Sequence, residues 1–284
     1  MRRPFLEAFA AIALLSAMDA AIKSLVARLP VIEVAFLRYL IGSVAMTAIV
    51  AVARPGWPRT DTIRANALRA LLVVITATTF FYGLGVLPLA EALILSFMSP
   101  IFTAAFAVLL LRETVDRRIA LALAAGFTGV IVIVAGGQAG PGAPIETSST
   151  VWGAAAVVLS AVTYSASNVL LRARARRDPL LLIVLIQNVA PALILAGPAV
   201  FVWEGPSPAE WARLALVGSL GVSGHLLLAR AYAGAEATRL APFDYTALIW
   251  AVLFGFFLFG EIPTVWALGG AALIAAGAAL GSRR

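Results

Sequence analysis

The chain has 284 residues, of which 62% are hydrophobic and only 12% charged, and its mean hydropathy is +0.99. A soluble domain is nearer half apolar and needs a polar exterior, so lipid is the expected solvent and a cytosolic globular fold is excluded. With no cysteine and a single histidine, His225, disulfides, thiol catalysis and Cys- or His-based metal centres are not expected; the net charge of +7 would suggest nucleic acid in a soluble chain, but here the basic residues sit between apolar runs.

A membrane-spanning helix needs about 20 mostly apolar residues. The first apolar run, Phe5 to Ala27, follows Arg2 and Arg3 as a signal peptide would. It is long, it carries Asp19 and Lys23, and Arg28 and Pro30 stand where small cleavage-site residues belong, so it reads as a retained span. The pattern predicts an all-α membrane protein with ten transmembrane helices at 5–28, 31–53, 66–87, 89–111, 118–136, 151–173, 180–203, 210–233, 239–259 and 264–281. The proline of Leu87-Pro88-Leu89 marks the turn between the third and fourth, because 66–111 is too long for one crossing.

The distribution of charge supports this division. With both termini in the cytoplasm, the inner loops and ends hold Arg2, Arg3, Arg54, Arg59, Arg64, Arg112, Arg117, Arg118, Arg172, Arg174, Arg176, Arg177, Arg239, Arg283 and Arg284. The outer loops hold only Arg28 and Arg213, and Lys23, Arg38, Arg69 and Arg230 fall within spans. Omitting one span would reverse the sidedness of every later loop, so the positive-inside rule favours ten.

The longest outer loop, Gly136 to Thr150, lacks basic residues and is rich in Gly, Pro, Ser and Thr, as a flexible linker is. It divides the chain into a first five-helix repeat, 1–137, a linker, 138–150, and a second five-helix repeat, 151–284. Leu111-Arg112-Glu113 closes the fourth span of the first half and Phe259-Gly260-Glu261 the fourth of the second, each followed by a small-residue span. An odd number of spans per half makes the repeats inverted, the arrangement of many secondary transporters with a substrate site near the midplane.

Several polar residues fall inside these spans. Asp19 lies about 14 Å from the outer end of its helix at 1.5 Å per residue, near the bilayer centre, and Lys23 follows on the same face. A charge there costs roughly 2.5–3.5 kcal/mol to insert, so it faces protein or a cavity; the pair is either self-neutralising or a substrate or proton site. Arg38, two turns into the second span, is either a structural clamp held by Asp19 or Glu33, or a contact for a substrate carboxylate. Glu91 and Asp244 lie near helix N-termini, where the dipole favours a carboxylate; if functional, they are gates or cation sites. Thr76, Thr79 and Tyr82, then Tyr164, Ser165 and Asn168, then Tyr245, Thr246 and Trp250 place polar groups at helical spacing, suited either to joining helices or to lining a ligand cavity. Gly221-Val222-Ser223-Gly224-His225 mimics an intramembrane protease motif, but residues two apart on a helix do not face each other and there is no second histidine. His225 is read as a cavity or packing residue. Gly277 and Gly281, with Gly126 and Gly129, make small faces that either pack the scaffold or build a homodimer.

The chain resembles the EamA-type branch of the drug/metabolite transporter superfamily over essentially its whole length. The resemblance is carried by Met18-Asp19 with Lys23, Phe36-Leu37-Arg38, Leu87-Pro88-Leu89-Ala90-Glu91-Ala92, Ser99-Pro100-Ile101, Leu111-Arg112-Glu113 and Gly126-Phe127-Thr128-Gly129-Val130. In the second half it is carried by Ala229-Arg230-Ala231-Tyr232, Ala241-Pro242-Phe243-Asp244-Tyr245 and Phe259-Gly260-Glu261. The first and third of these elements are similar to those of the S-adenosylmethionine and riboflavin importers. The resemblance implies ten spans, an inverted repeat and a cavity lined mainly by spans 1, 3, 4, 6, 8 and 9.

The resulting expectation is a secondary transporter in a bacterial inner membrane that moves a small polar or zwitterionic metabolite by alternating access. Its partners are a small-molecule substrate and the lipid bilayer, without nucleic acid. Asp19, Lys23, Arg38, Thr79, Tyr82, Glu91, Tyr164, Asn168, His225, Tyr245 and Trp250 are the expected substrate-binding residues. No nucleotide-binding motif is present, so no cofactor or direct ATP drive is expected. An exporter of amino acids or drugs within the same superfamily, a channel and a structural membrane subunit are the alternatives; a membrane enzyme lacks a visible acid–base set.

Overall fold

The computed structural model describes residues 3–26, 28–86, 95–137, 149–259 and 265–281. Every regular element among them is helical. These are α1 (Arg3–Val26), α2 (Val31–Ala53), α3 (Thr60–Val86), α4 (Ser99–Leu111), α5 (Arg117–Gly137), α6 (Ser149–Ala175), α7 (Leu180–Phe201) and α8 (Pro208–Gly234). A short helix, Ala237–Leu240, then runs into a 3-10 turn, Ala241–Tyr245, before α9 (Thr246–Phe259) and α10 (Val265–Gly281). A helix satisfies its N–H and C=O groups within one segment, which is what lipid demands of an apolar run. Six helices are long and apolar enough to cross a bilayer by length and composition: α1, α2, α3 to Phe80, α6 from Val151, α7 and α8. Two more, Ser99–Leu111 and Leu268–Gly281, are shorter and apolar. Outward side chains such as Val52, Leu109, Leu193 and Phe201 are exposed, as lipid-facing positions are.

Local chemistry sets the helix ends. Pro30 precedes α2, and Arg54 ends it in the left-handed region at φ 47°, donating its N–H to Val50 O. Pro100 lies in the first turn of α4, and Arg112 ends that helix at φ 55°. The sequence predicts one continuous ninth span over 239–259, whereas the chain is α-helical again only from Thr246. Pro242 sits at the start of the 3-10 turn; without an N–H it breaks the α-helical ladder there. The turn at Leu87-Pro88-Leu89, Glu91, the linker residues 138–148 and Gly260-Glu261 lie outside the described residues.

The chain forms two compact units, and each takes helices from both sequence halves. The first comprises residues 3–78 and 170–234, the second residues 79–169 and 235–284. In the first unit α1 and α2 pack against α8, and α2 also packs against α7. Ala35, Tyr39, Val74, Ala192 and Leu195 form a core. The close approach of α1 to α8 needs a missing side chain, since a Cβ on Gly224 would lie 2.9 Å from Leu15 Cγ. Ion pairs and caps fasten the unit's ends. Arg28 pairs through two nitrogens with both carboxylate oxygens of Glu210 and donates to Gly205 O at 3.1 Å. That bonding pushes the Arg28 guanidinium further up from its already high value. Glu33, fully buried, accepts the N–H groups of Glu204 at 2.9 Å and Gly205 at 3.1 Å. Elsewhere Arg174 bonds Asp178 at 2.6 Å and Asp61 at 3.1 Å, while Thr62 donates to Asp178 at 2.8 Å.

The second unit is built on α5 against α10. A Cβ on Gly277 would stand 2.9 Å from Ala122 O, so this small face packs the scaffold within the chain. Phe97, Val130, Tyr245, Leu248 and Ile274 form the core. Glu113 accepts the N–H of Thr238 at 3.0 Å and its hydroxyl at 3.2 Å, which holds the start of the short helix. Ser165 donates to Ser99 O at 2.7 Å, joining α6 to α4.

Candidate functional site

The first unit gathers charge where an apolar helix would not place it by chance. Asp19 on α1 is accessible in the protein, and Arg38 on α2 interacts with it electrostatically. Among the described residues Asp19 makes neither an ion pair nor a hydrogen bond. Arg38 instead donates Nε to Met18 Sδ at 3.1 Å and lies 4.5 Å from the centroid of the Tyr39 ring. These soft contacts orient a guanidinium without neutralising it. Glu33, the other carboxylate considered for Arg38, is committed to the backbone of Glu204 and Gly205. Gly221 on α8 makes room for this arrangement, since a Cβ there would meet Met18 Sδ at 3.2 Å and Arg38 Nε at 3.5 Å.

His225 lies one turn further along α8. Its Nδ1 is 2.6 Å from Gly221 O. A carbonyl only accepts, so Nδ1 carries the proton and Nε2 of the neutral ring is an acceptor. Arg38 and Arg69 both act on this ring electrostatically. Arg69, buried on α3, donates to Gln187 on α7. Ser223 is exposed while His225 is turned to its own helix backbone, and the two make no dyad. Asp19, Arg38 and His225 are therefore three of the expected residues that the first unit brings together. Lys23 is on the same helix as Asp19, one turn on.

The other expected residues belong to the second unit. Thr79 and Tyr82 are on the last turns of α3, with Tyr82 exposed. Tyr164 and Asn168 are on α6, Tyr164 half-buried and Asn168 buried with Nδ2 unbonded. Tyr245 is fully buried and its hydroxyl has no hydrogen-bond partner; Trp250 is half-buried on α9. Glu91 lies outside the described residues. The sequence reading did not single out Met18 or Arg69 as site residues. An arginine about one turn inside an apolar run was the available signal for Arg69, whereas Met18 is apolar and was marked only by its place beside Asp19 in the family-like stretch.

Over residues 4–135, and again over residues 151–283, the chain matches the EamA-like transporter family. The chain belongs to that family. Together with its long apolar helices, this makes it a multi-pass membrane transporter. Among EamA relatives it is 27% identical over 259 residues to the S-adenosylmethionine uptake transporter of Rickettsia bellii, covering 91% of this chain and 86% of the relative. It is 29% identical over 268 residues to a pseudopaline exporter of Pseudomonas aeruginosa, covering 91% and 88%. It is 33% identical over 212 residues to a riboflavin transporter of Rhizobium johnstonii, covering 72% and 66%. A solved crystal structure superimposes with a TM-score of 0.82 at 22% identity, covering 98% of this chain and 97% of the other, which establishes the likeness of fold.

Proposed function

We propose that this EamA chain is a secondary carrier that moves a small polar or zwitterionic metabolite, an amino acid or a derivative such as S-adenosylmethionine, by alternating access. Ten spans form two inverted five-helix repeats, 1–137 and 151–284, joined by 138–150, in a bacterial inner membrane with both termini cytoplasmic. The observation that carries the reading is the Asp19–Arg38 couple, whose opposite charges interact without closing on each other. A zwitterion fits between them: its ammonium meets the Asp19 carboxylate, and its carboxylate meets Arg38, with His225 Nε2 as a further acceptor. Lys23 is the second candidate for the carboxylate. The match to the EamA-like transporter family supports reading the chain as a carrier rather than an enzyme. The relatives include an uptake protein and an exporter, so the gradient, more than the site, sets the direction.

The test is counterflow in liposomes holding the purified protein, with labelled amino acids, S-adenosylmethionine, riboflavin and carnitine. Saturable accumulation of one compound by wild type, lost in Asp19→Asn and Arg38→Ala that elute as folded protein, is expected. Full-rate exchange by both variants would remove the site, and leakage without counterflow would replace the carrier with a channel.

A further inference from the structure

Asp244 stands apart from the charge cluster described above. It lies in the 3-10 turn Ala241–Tyr245, just ahead of α9, and is nine-tenths buried. Its position before a helix suggests a cap, but it makes none. The Thr246 N–H is held by the backbone oxygens of Phe243 and Asp244, and the Thr246 hydroxyl donates to Phe243 O at 2.6 Å. Among the described residues Asp244 Oδ2 is buried without a hydrogen-bond partner.

Among the described residues nothing charged compensates it either. The turn packs against α4, α5, α9, α10 and the short helix. Along Ser99–Leu111, Thr246–Phe259 and Val265–Gly281 there is no ionisable side chain. The charged groups on the remaining neighbours are Arg117 and Arg118 at the start of α5 and Arg239 on the short helix, which is 3.0 Å from Glu236. The adjacent Tyr245 phenol interacts with the Asp244 carboxylate electrostatically. Tyr245 is itself fixed: its ring lies over Gly126, where a Cβ would come within 2.2 Å of Cδ2. Its hydroxyl, like Thr103 Oγ1 and Asn168 Nδ2 in the same unit, is buried without a partner.

A buried, unpaired carboxylate is far more costly than a buried neutral carboxyl group. Metal-cation binding is a poor alternative, since hard cations need about six oxygen ligands. We infer that Asp244 is the site at which this carrier binds its coupling proton. One proton joins one carboxylate oxygen, the site becomes neutral, and no other bond changes. The neutral acid suits the closed surroundings seen here, and the carboxylate suits a state in which water or the Tyr245 hydroxyl reaches it. The inference rests on the carrier reading above, and its first test does not depend on any substrate.

Infrared difference spectra of the protein in lipid nanodiscs read the carbonyl stretch of a protonated carboxylic acid directly. Wild type is expected to show this band near neutral pH. It should disappear in Asp244→Asn, persist in Asp19→Asn, and remain, shifted, in Asp244→Glu, which also guards against misfolding. A wild-type spectrum without the band, or a band unchanged in Asp244→Asn, would overturn the assignment. The second arm uses whichever panel compound wild type exchanges. Asp244→Asn should keep counterflow but lose at least tenfold of the accumulation driven by a pH gradient, and retained acid-driven accumulation would overturn the coupling role. If wild type exchanges no compound, the carrier reading falls while the band still decides where the proton sits.

Discussion

Alanine substitution at four helical glycines separates close packing from helix propensity, because each meets a different neighbour. On Gly269 in α10 a Cβ meets nothing within 4 Å, so Gly269→Ala should gain about 0.5–1 kcal/mol of helix propensity with no steric charge against it. On Gly221 the nearest atom is Met18 Sδ at 3.2 Å, the end of a flexible chain that can move by a few tenths of an ångström, so strain and propensity should nearly cancel. On Gly224 two atoms of Leu15 lie at 2.9 Å and Ala11 O at 3.4 Å, and overpacking of about 1–2 kcal/mol should win. On Gly126 the Cβ would stand 2.2, 2.7 and 2.9 Å from three ring carbons of fully buried Tyr245. That ring cannot turn aside without opening the α5 contact, so the loss should reach about 3 kcal/mol or more. The assay is thermal unfolding in detergent, followed by the fraction that stays monodisperse on gel filtration. The expected order of Tm is Gly269→Ala at or above wild type, Gly221→Ala with wild type, then Gly224→Ala, then Gly126→Ala. A Gly126→Ala protein that melts with wild type would refute the packing of Tyr245 on α5, and with it the fixed position of the neighbouring Asp244.

Two further outcomes follow from the caps and ion pairs of the first unit. Glu33→Ala leaves two N–H groups without their buried acceptor and should lower stability by about 2–4 kcal/mol, whereas Glu33→Gln keeps one acceptor oxygen and should fall between; equal melting of the two variants would show that these bonds do not carry the loop before α8. Arg174→Ala strips the partner from the Asp178 side chain, which is 5% exposed, and should cost on the order of 3 kcal/mol. Asp61→Asn removes a pair whose acidic side chain is 58% exposed, and should change stability by less than about 1 kcal/mol; the reverse ranking in a melt would contradict the burial described.

The helical class was legible because hydropathy alone separates long apolar runs from loops. Asp19 and Arg38 were legible because a charge in a long apolar run has few inexpensive explanations. Their mutual arrangement was not: periodicity places both on helices, but cannot say that Arg38 turns to Met18 and Tyr39 while Asp19 stays unpaired. Glu33 illustrates the same limit. Its spacing from Arg38 is suitable, yet its carboxylate serves backbone groups of Glu204 and Gly205, a long-range cap that leaves no local sequence signal. Asp244 looked like a dipole-favoured residue at a helix start. Pro242 shifts that start to Thr246, and the capping role passes to backbone oxygens and the Thr246 hydroxyl.

The mixing of both sequence halves within each compact unit has a consequence for biosynthesis. The first unit needs residues 170–234 as well as 3–78, so α1 and α2 leave the ribosome and enter the translocon long before α7 and α8 exist. Until then Arg28 has no Glu210, Glu33 has no Glu204 or Gly205 backbone to bond, and Arg69 has no Gln187. The nascent first half therefore waits in the bilayer with polar groups that water, lipid headgroups or an insertion chaperone must satisfy. A chain truncated in the 138–148 region would be left permanently in that waiting state, a natural substrate for membrane quality control.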